Sequence, residues 1–97
     1  MQHSEKEIEQ VSAVFGALSN PVRLRILSII SETKRPLHIK AVAKNLKMDY
    51  AAVYRHVKVL KEAGLLQIYE VGRSRVLSPL HIDEVRKLLE FAKQVKP

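Results

Sequence analysis

Only Lys47-Met48-Asp49 separates two stretches of helical periodicity in this chain, and so short a connection dictates how they can lie. Two helices joined by a tight turn fold against each other as a helix-turn-helix. The upstream segment, about 39–46, puts Ile39, Val42, Ala43 and Leu46 on its inner face. The downstream segment, about 50–63, repeats Val53, Val57 and Leu60 at i, i+4 and i+7, which makes one apolar stripe. Asp49 is suited to cap its start, because a short carboxylate accepts an otherwise unpaired backbone N–H. Gly64 suits a left-handed stop. Tyr50, Tyr54, Arg55, Lys58 and Lys61 fall away from the stripe. One edge of this helix can therefore hold a scaffold while the other presents positive and hydrogen-bonding groups.

The flanking sequence supplies the scaffold. Ser4-Glu5-Lys6-Glu7 fits a capping box, and Ile8, Val11, Phe15 and Leu18 follow at heptad spacing, so a first helix runs to about Leu18. Asn20-Pro21 restarts the chain with a cap and a proline at the first helical position. The second helix, about 21–32, carries Leu24, Ile26, Leu27, Ile29 and Ile30 and is apolar on most sides, as a central core helix must be. Thr33-Lys34-Arg35-Pro36 is a polar break, and Pro36-Leu37-His38 has room for a very short strand. After Gly64 the period changes to two: Leu66 and Ile68 alternate with Gln67 and Tyr69. Val71-Gly72-Arg73-Ser74 reads as a turn and Arg75-Val76-Leu77-Ser78 as the returning strand of a hairpin. Pro79 is expected to open a last helix, about 79–95. That helix has two apolar stripes, one of Ile82, Val85, Leu89 and Ala92, the other of Leu88, Phe91 and Val95. A small domain covers one, so the other implies a partner surface.

Charge is distributed unevenly over these elements. The net charge is +7, but residues 1–20 carry −2, residues 21–78 carry +8 and residues 79–97 carry +1. The excess coincides with the helix-turn-helix and the hairpin. A basic surface attracts polyanions by releasing their condensed counterions, although a merely solvated face has the same composition. The 97 residues suffice for one domain, 1–97, and with five aromatics and no Trp its core must come from Leu, Ile and Val. Small cores of this kind gain stability by dimerising. The absence of Cys excludes disulfides, thiolate metal sites and a Cys nucleophile. No apolar run approaches the ~20 residues needed to span a bilayer, and MQHSEKEIEQ has no signal-peptide core. A cytoplasmic protein without a membrane partner is expected.

The element order is helix, helix, short strand, helix, helix, hairpin, helix. The expected fold class is mainly α with a small β-hairpin, a winged helix-turn-helix between two amphipathic helices. The sequence resembles the ArsR family of small bacterial and archaeal repressors. Phe15-Gly16-Ala17-Leu18-Ser19-Asn20-Pro21-Val22-Arg23-Leu24-Arg25-Ile26-Leu27 is similar to that family's second-helix signature. Val53-Tyr54-Arg55-His56-Val57-Lys58-Val59-Leu60 with Glu62-Ala63-Gly64-Leu65-Leu66 is similar to its recognition helix and exit, and Gly72-Arg73 to its wing. The resemblance runs from about Val11 to Val95 and implies a regulator binding double-stranded DNA as a homodimer. Tyr54 departs from the small hydroxyl residue usual at its position, so sequence preference does not carry over from relatives.

A recognition helix reads the major groove with its first two turns. Here those turns hold Tyr50, Ala51, Ala52, Tyr54 and Arg55. Arg55 can pair bidentately with guanine, Tyr50 and Tyr54 can donate to a base edge or phosphate, and Ala51 and Ala52 allow close approach. Lys40, Lys47, Lys58 and Lys61 suit phosphate contacts, which position without specifying. Arg73, Ser74 and Arg75 belong to the wing, whose arginines could follow the backbone or enter a minor groove. Three bland readings stand beside these: either tyrosine packs on a neighbouring helix, Arg55 is simply solvated, and His56 holds structure rather than a phosphate.

The resemblance further implies that the first and last helices pair across a two-fold axis. The residues available are Ile8, Val11, Phe15 and Leu18 on one and Ile82, Val85, Leu88, Leu89, Phe91, Ala92 and Val95 on the other. Many relatives sense metals, but this chain lacks the ligands: the last helix offers only His81, Asp83 and Glu84 near its start, and His3, His38 and His56 are scattered. No metal and no cofactor is expected; an effector is left open. Three alternatives were weighed. A protein-interaction module would not need the basic middle segment. A nonspecific architectural binder would show salt dependence without discrimination. An enzyme finds no phosphate loop, no catalytic carboxylate pair and no Cys.

Overall fold

Side-chain capping sets where three of the described helices begin. In the computed structural model, which describes residues 2–97, helix α1 spans Glu5–Leu18 and α2 spans Pro21–Ser31. The Ser4 hydroxyl accepts from the Glu7 N–H at 3.1 Å and the Glu7 carboxylate accepts from the Ser4 N–H at 2.8 Å, closing the expected box. Those bonds from Ser4, the backbone one foremost, hold the Glu7 carboxyl below its ordinary pKa. Asn20 Oδ1 accepts from the N–H groups of Val22 and Arg23 at 2.8 and 3.1 Å, while Pro21 has no N–H to satisfy. Strand β1 is Leu37–His38, α3 is Ile39–Leu46, α4 is Tyr50–Glu62, β2 is Leu66–Val71, β3 is Ser74–Pro79 and α5 is Ile82–Gln94.

The turn between α3 and α4 closes in three residues because Lys47 adopts a left-handed conformation, φ 55°. Its N–H donates to the Lys44 carbonyl and the Met48 N–H donates back to the Ala43 carbonyl at 3.0 Å. This satisfies the last carbonyls of α3 before Asp49 Oδ1 accepts from the Ala52 N–H at 2.8 Å and opens α4. The exit from α4 repeats the device. Gly64 has φ 82°, its N–H donates to the Lys61 carbonyl, and the Leu65 N–H donates to the Leu60 carbonyl at 3.0 Å. Leu65 is thereby dropped into the core beside Leu60.

The sheet is antiparallel in the order β1-β3-β2, with Leu77 of β3 opposite both Leu37 and Ile68. Val71 pairs with Ser74, so the hairpin tip is Gly72-Arg73 alone. A positive φ at Gly72 and none at Arg73 matches a type II′ turn. Two sequence expectations are corrected here. The returning strand extends to Pro79, which pairs with Leu66, and the last helix begins at Ile82 rather than at Pro79. Proline is tolerated at that strand end because β1 reaches only Val76 and Leu77 on the other flank, and no neighbour there asks for an N–H. His81, at φ 55°, then turns the chain into α5.

The core is built from Ile26, Leu27 and Ile30 of α2, Ile39 and Val42 of α3, Val53, Val57 and Leu60 of α4, and Leu66 and Leu77 of the sheet. Burial on this scale is worth about 1.5–3 kcal/mol for each large aliphatic side chain. Leu18 and Val85 join the same core, a further correction: both were expected at a partner interface, and packing within the chain already occupies them. Ile82, Leu88 and Leu89 are half-buried against this core. Ile8, Val11 and Phe15 of α1 remain about half exposed, at 49, 52 and 55%. Phe91 and Val95 at the far end of α5 are 65 and 61% exposed, and Ala92 beside them is also exposed. No single helix among the described residues is long and apolar enough to cross a membrane.

Candidate nucleic-acid interface

Beyond its buried edge, α4 presents three others to different surroundings. Its buried edge, Val53, Val57 and Leu60, fixes the helix on α2 and α3. Directly opposite, Ala51, Arg55 and Lys58 stand exposed at i, i+4 and i+7, a cationic strip with a small residue at its leading end. Lys40, Lys47, Lys61 and Arg73 are exposed as well. Ala52 is half-buried.

The edge facing the wing is an aromatic cluster. The rings of Tyr50 and Tyr54 lie stacked one helical turn apart, centroids 6.3 Å and planes 19° apart. The Arg75 guanidinium, from β3, sits 4.4 Å above the centre of the Tyr54 ring and donates to the Tyr50 hydroxyl at 3.3 Å. These two contacts favour its charged form and raise its pKa, the Tyr50 hydrogen bond foremost. Lys58 Nζ approaches the Tyr54 ring at 5.9 Å. Tyr54 also packs against the core, so both readings of it, groove-facing and structural, have a part in its surroundings. Arg75 was expected to reach DNA from the wing, and the structure instead turns it onto the recognition helix. Beside this cluster Tyr50, Arg73, Ser74, Arg75, Lys40 and His38 line a cleft of about 280 Å³, rich in positive charge.

The third edge carries His56, and the sequence alone did not reveal its partner. Arg23 donates from Nη1 to His56 Nδ1 at 3.2 Å, from Nε to the Ala17 carbonyl at 2.7 Å and from Nη2 to the Gly16 carbonyl at 3.2 Å. One guanidinium thus caps the end of α1 and ties it to α4. Because arginine only donates, His56 Nδ1 must be the acceptor and the imidazole neutral, with its proton on Nε2. Burial, then the charges of Arg23 and Arg55, push the His56 pKa down. Of the two roles left open for His56, the structure supplies the structural one. Among the described residues no three His, Asp or Glu side chains gather as a metal site requires.

Comparison with known proteins accords with this geometry. A family model described as a helix-turn-helix domain matches residues 18–68, just over half of the chain. The HTH-type transcriptional regulator NmtR of Mycobacterium tuberculosis is 35% identical over 83 residues, covering 86% of this chain and 67% of that protein. The chain belongs to the ArsR family of winged helix-turn-helix regulators. An HTH-type transcriptional regulator of Methanocaldococcus jannaschii, MJ0229, is 41% identical over 51 residues, 53% of this chain and 52% of its own length. The chain thus spans about half to two thirds of the curated relatives it matches. The fold of this ArsR-family chain is also that of the homodimeric winged helix-turn-helix DNA-binding domain Mb0332 of Mycobacterium bovis. That solution structure matches with a TM-score of 0.77 at 22% identity, over 94% of this chain and 84% of the other. The matched model ends at Ile68, so Arg73 and Arg75 and all of α5 lie outside it.

Proposed function

We propose that this chain is one winged helix-turn-helix domain that acts as a homodimeric, sequence-specific repressor of transcription in the cytoplasm. Its partner is double-stranded DNA carrying a near-palindromic operator. The observation that carries the reading is the strip Ala51-Arg55-Lys58, exposed on the outermost face of a capped helix whose opposite edge is fixed in the core. Arg55 is the candidate for guanine recognition, and Lys40, Lys47, Lys58, Lys61 and Arg73 for phosphates. Ile8, Val11 and Phe15 with Phe91, Ala92 and Val95 supply the apolar surface for a second copy. Two copies related by a two-fold axis would place their recognition helices about 34–36 Å apart, one DNA turn. The reading invokes no catalysis, metal or cofactor.

Selection of binding sites from random duplex DNA tests this. Enrichment of two related half-sites, about 10 base pairs between centres, supports it. Binding without any enriched motif would leave only a nonspecific DNA binder, and no salt-dependent binding at all would point to a protein-interaction module.

A further inference from the structure

We propose that the two arginines of the wing do different work. Arg75 is a positioning residue that clamps Tyr50 and Tyr54 into one fixed reading edge, and Arg73 is the arginine that meets a backbone phosphate. The proposal rests on the DNA-binding reading and goes further, because it assigns what aims the recognition helix.

The geometry leaves Arg75 little freedom. Its guanidinium lies 4.4 Å over the Tyr54 ring while Nη1 donates to Tyr50 at 3.3 Å, so one planar cation ties two side chains a helical turn apart. A cation over an aromatic face is worth about 0.5–2 kcal/mol, more as water is excluded. Glu70, its pairing partner across the hairpin, stands 3.9 Å away and partly offsets its charge. A guanidinium engaged on three sides is poorly placed to neutralise a phosphate. Arg73 differs on each count: it sits exposed at the hairpin tip, and among the described residues its side chain makes no hydrogen bond or ion pair.

The clamp also sets what Tyr50 can read. Its oxygen already accepts from Arg75, so its hydroxyl proton points elsewhere and is free to donate. In the major groove the matching chemistry is an acceptor, purine N7, guanine O6 or thymine O4. Tyr54 is stacked at 19° to Tyr50 and covered on one face by Arg75. Hairpin register makes the arrangement possible. Arg75 lies opposite Glu70 because the tip holds only Gly72-Arg73, and a one-residue slip would carry it to the other face of the sheet. Lysine could not replace it, since an ammonium neither stacks flat nor offers the same fork.

The test compares the full chain with Arg73→Ala, Arg75→Ala, Arg75→Lys, Tyr54→Leu and the Arg75→Ala/Tyr54→Leu double variant on the selected operator and on single-base variants, across a salt series. Arg73→Ala should weaken all sites alike and reduce the salt slope by about 0.9, one phosphate. Arg75→Ala should leave the slope unchanged and lose about tenfold in discrimination at one base position, the worth of one hydrogen bond. Arg75→Lys should behave like Arg75→Ala, and the double variant should lose less than the sum of the two single variants. Uniform weakening with a flatter slope for Arg75→Ala, restored by Arg75→Lys and additive with Tyr54→Leu, would overturn the proposal. A second measurement needs no DNA: the Arg75 side-chain protons should show an upfield ring-current shift by NMR that Tyr54→Leu abolishes. Its absence in the parent chain overturns the clamp while DNA binding stands. A shift that is present when no operator can be enriched overturns the DNA-binding reading and with it the role given to Arg75.

Discussion

His56 accepts a hydrogen bond from an arginine, so it serves the fold only while neutral. Its folded pKa lies below the ordinary 6.5 through burial and the nearby charges of Arg23 and Arg55. The stability it contributes is therefore complete above about pH 6.5 and is lost as pH falls through that value toward the folded pKa. Thermal melts at pH 7.5 and 5.5 should show a larger acid loss for the parent chain than for His56→Gln, which cannot be protonated. Equal losses would separate His56 from the effect. The Glu7 carboxyl, also lowered, acts only below its ordinary 4.5 and leaves this window alone. On the outer face, Arg55→Ala should relax preference at one base position by about 1–3 kcal/mol, whereas Lys58→Ala should weaken every site alike. The outer-face residues were legible from helical spacing alone. Arg23 with His56 was not, because 33 residues separate the partners and only the packing of α1, α2 and α4 brings them together.

Elements end here by backbone geometry that some residues fit better than others. Gly64 at φ 82° has nothing within 4 Å of where a Cβ would stand, so Gly64→Ala incurs only the conformational cost of about 1–2 kcal/mol. Lys47 holds a similar left-handed position without being glycine. Lys47→Gly should accordingly stabilise the fold by up to about 1 kcal/mol while removing one phosphate contact. Urea unfolding of both variants checks the opposite signs. The cap at Asp49, the box at Ser4 and the stop at Gly64 could all be read from sequence because each is decided within four residues. The start of α5 could not. Proline at a helix start and proline at a strand end look alike locally, and the long-range pairing of Pro79 with Leu66 decides between them. The wing's contact with α4 was hidden for the same reason.

Among the described residues, apolar surface remains on the outer face of α1 and at the far end of α5, while Leu18 and Val85 are drawn into the core. The sequence of α5 carries two apolar stripes, one for the domain and one for a partner; side-chain burial instead divides each stripe between core and surface. A homodimer built on the remainder should sediment as two chains at micromolar concentration, and Phe15→Glu with Phe91→Glu should yield a folded monomer. A parent chain that sediments as a monomer would contradict the assignment. On the proposed reading, dimerisation and DNA recognition go together, because one recognition helix covers only a half-site. The central claim is that the exposed strip of α4 reads sequence. Site selection from random duplex DNA with the parent chain and with Arg55→Ala tests it most directly. The parent should enrich a two-fold symmetric motif, and the variant should lose one defined base preference at the same position in both half-sites. The same motif from both proteins, or no motif from either, would contradict it.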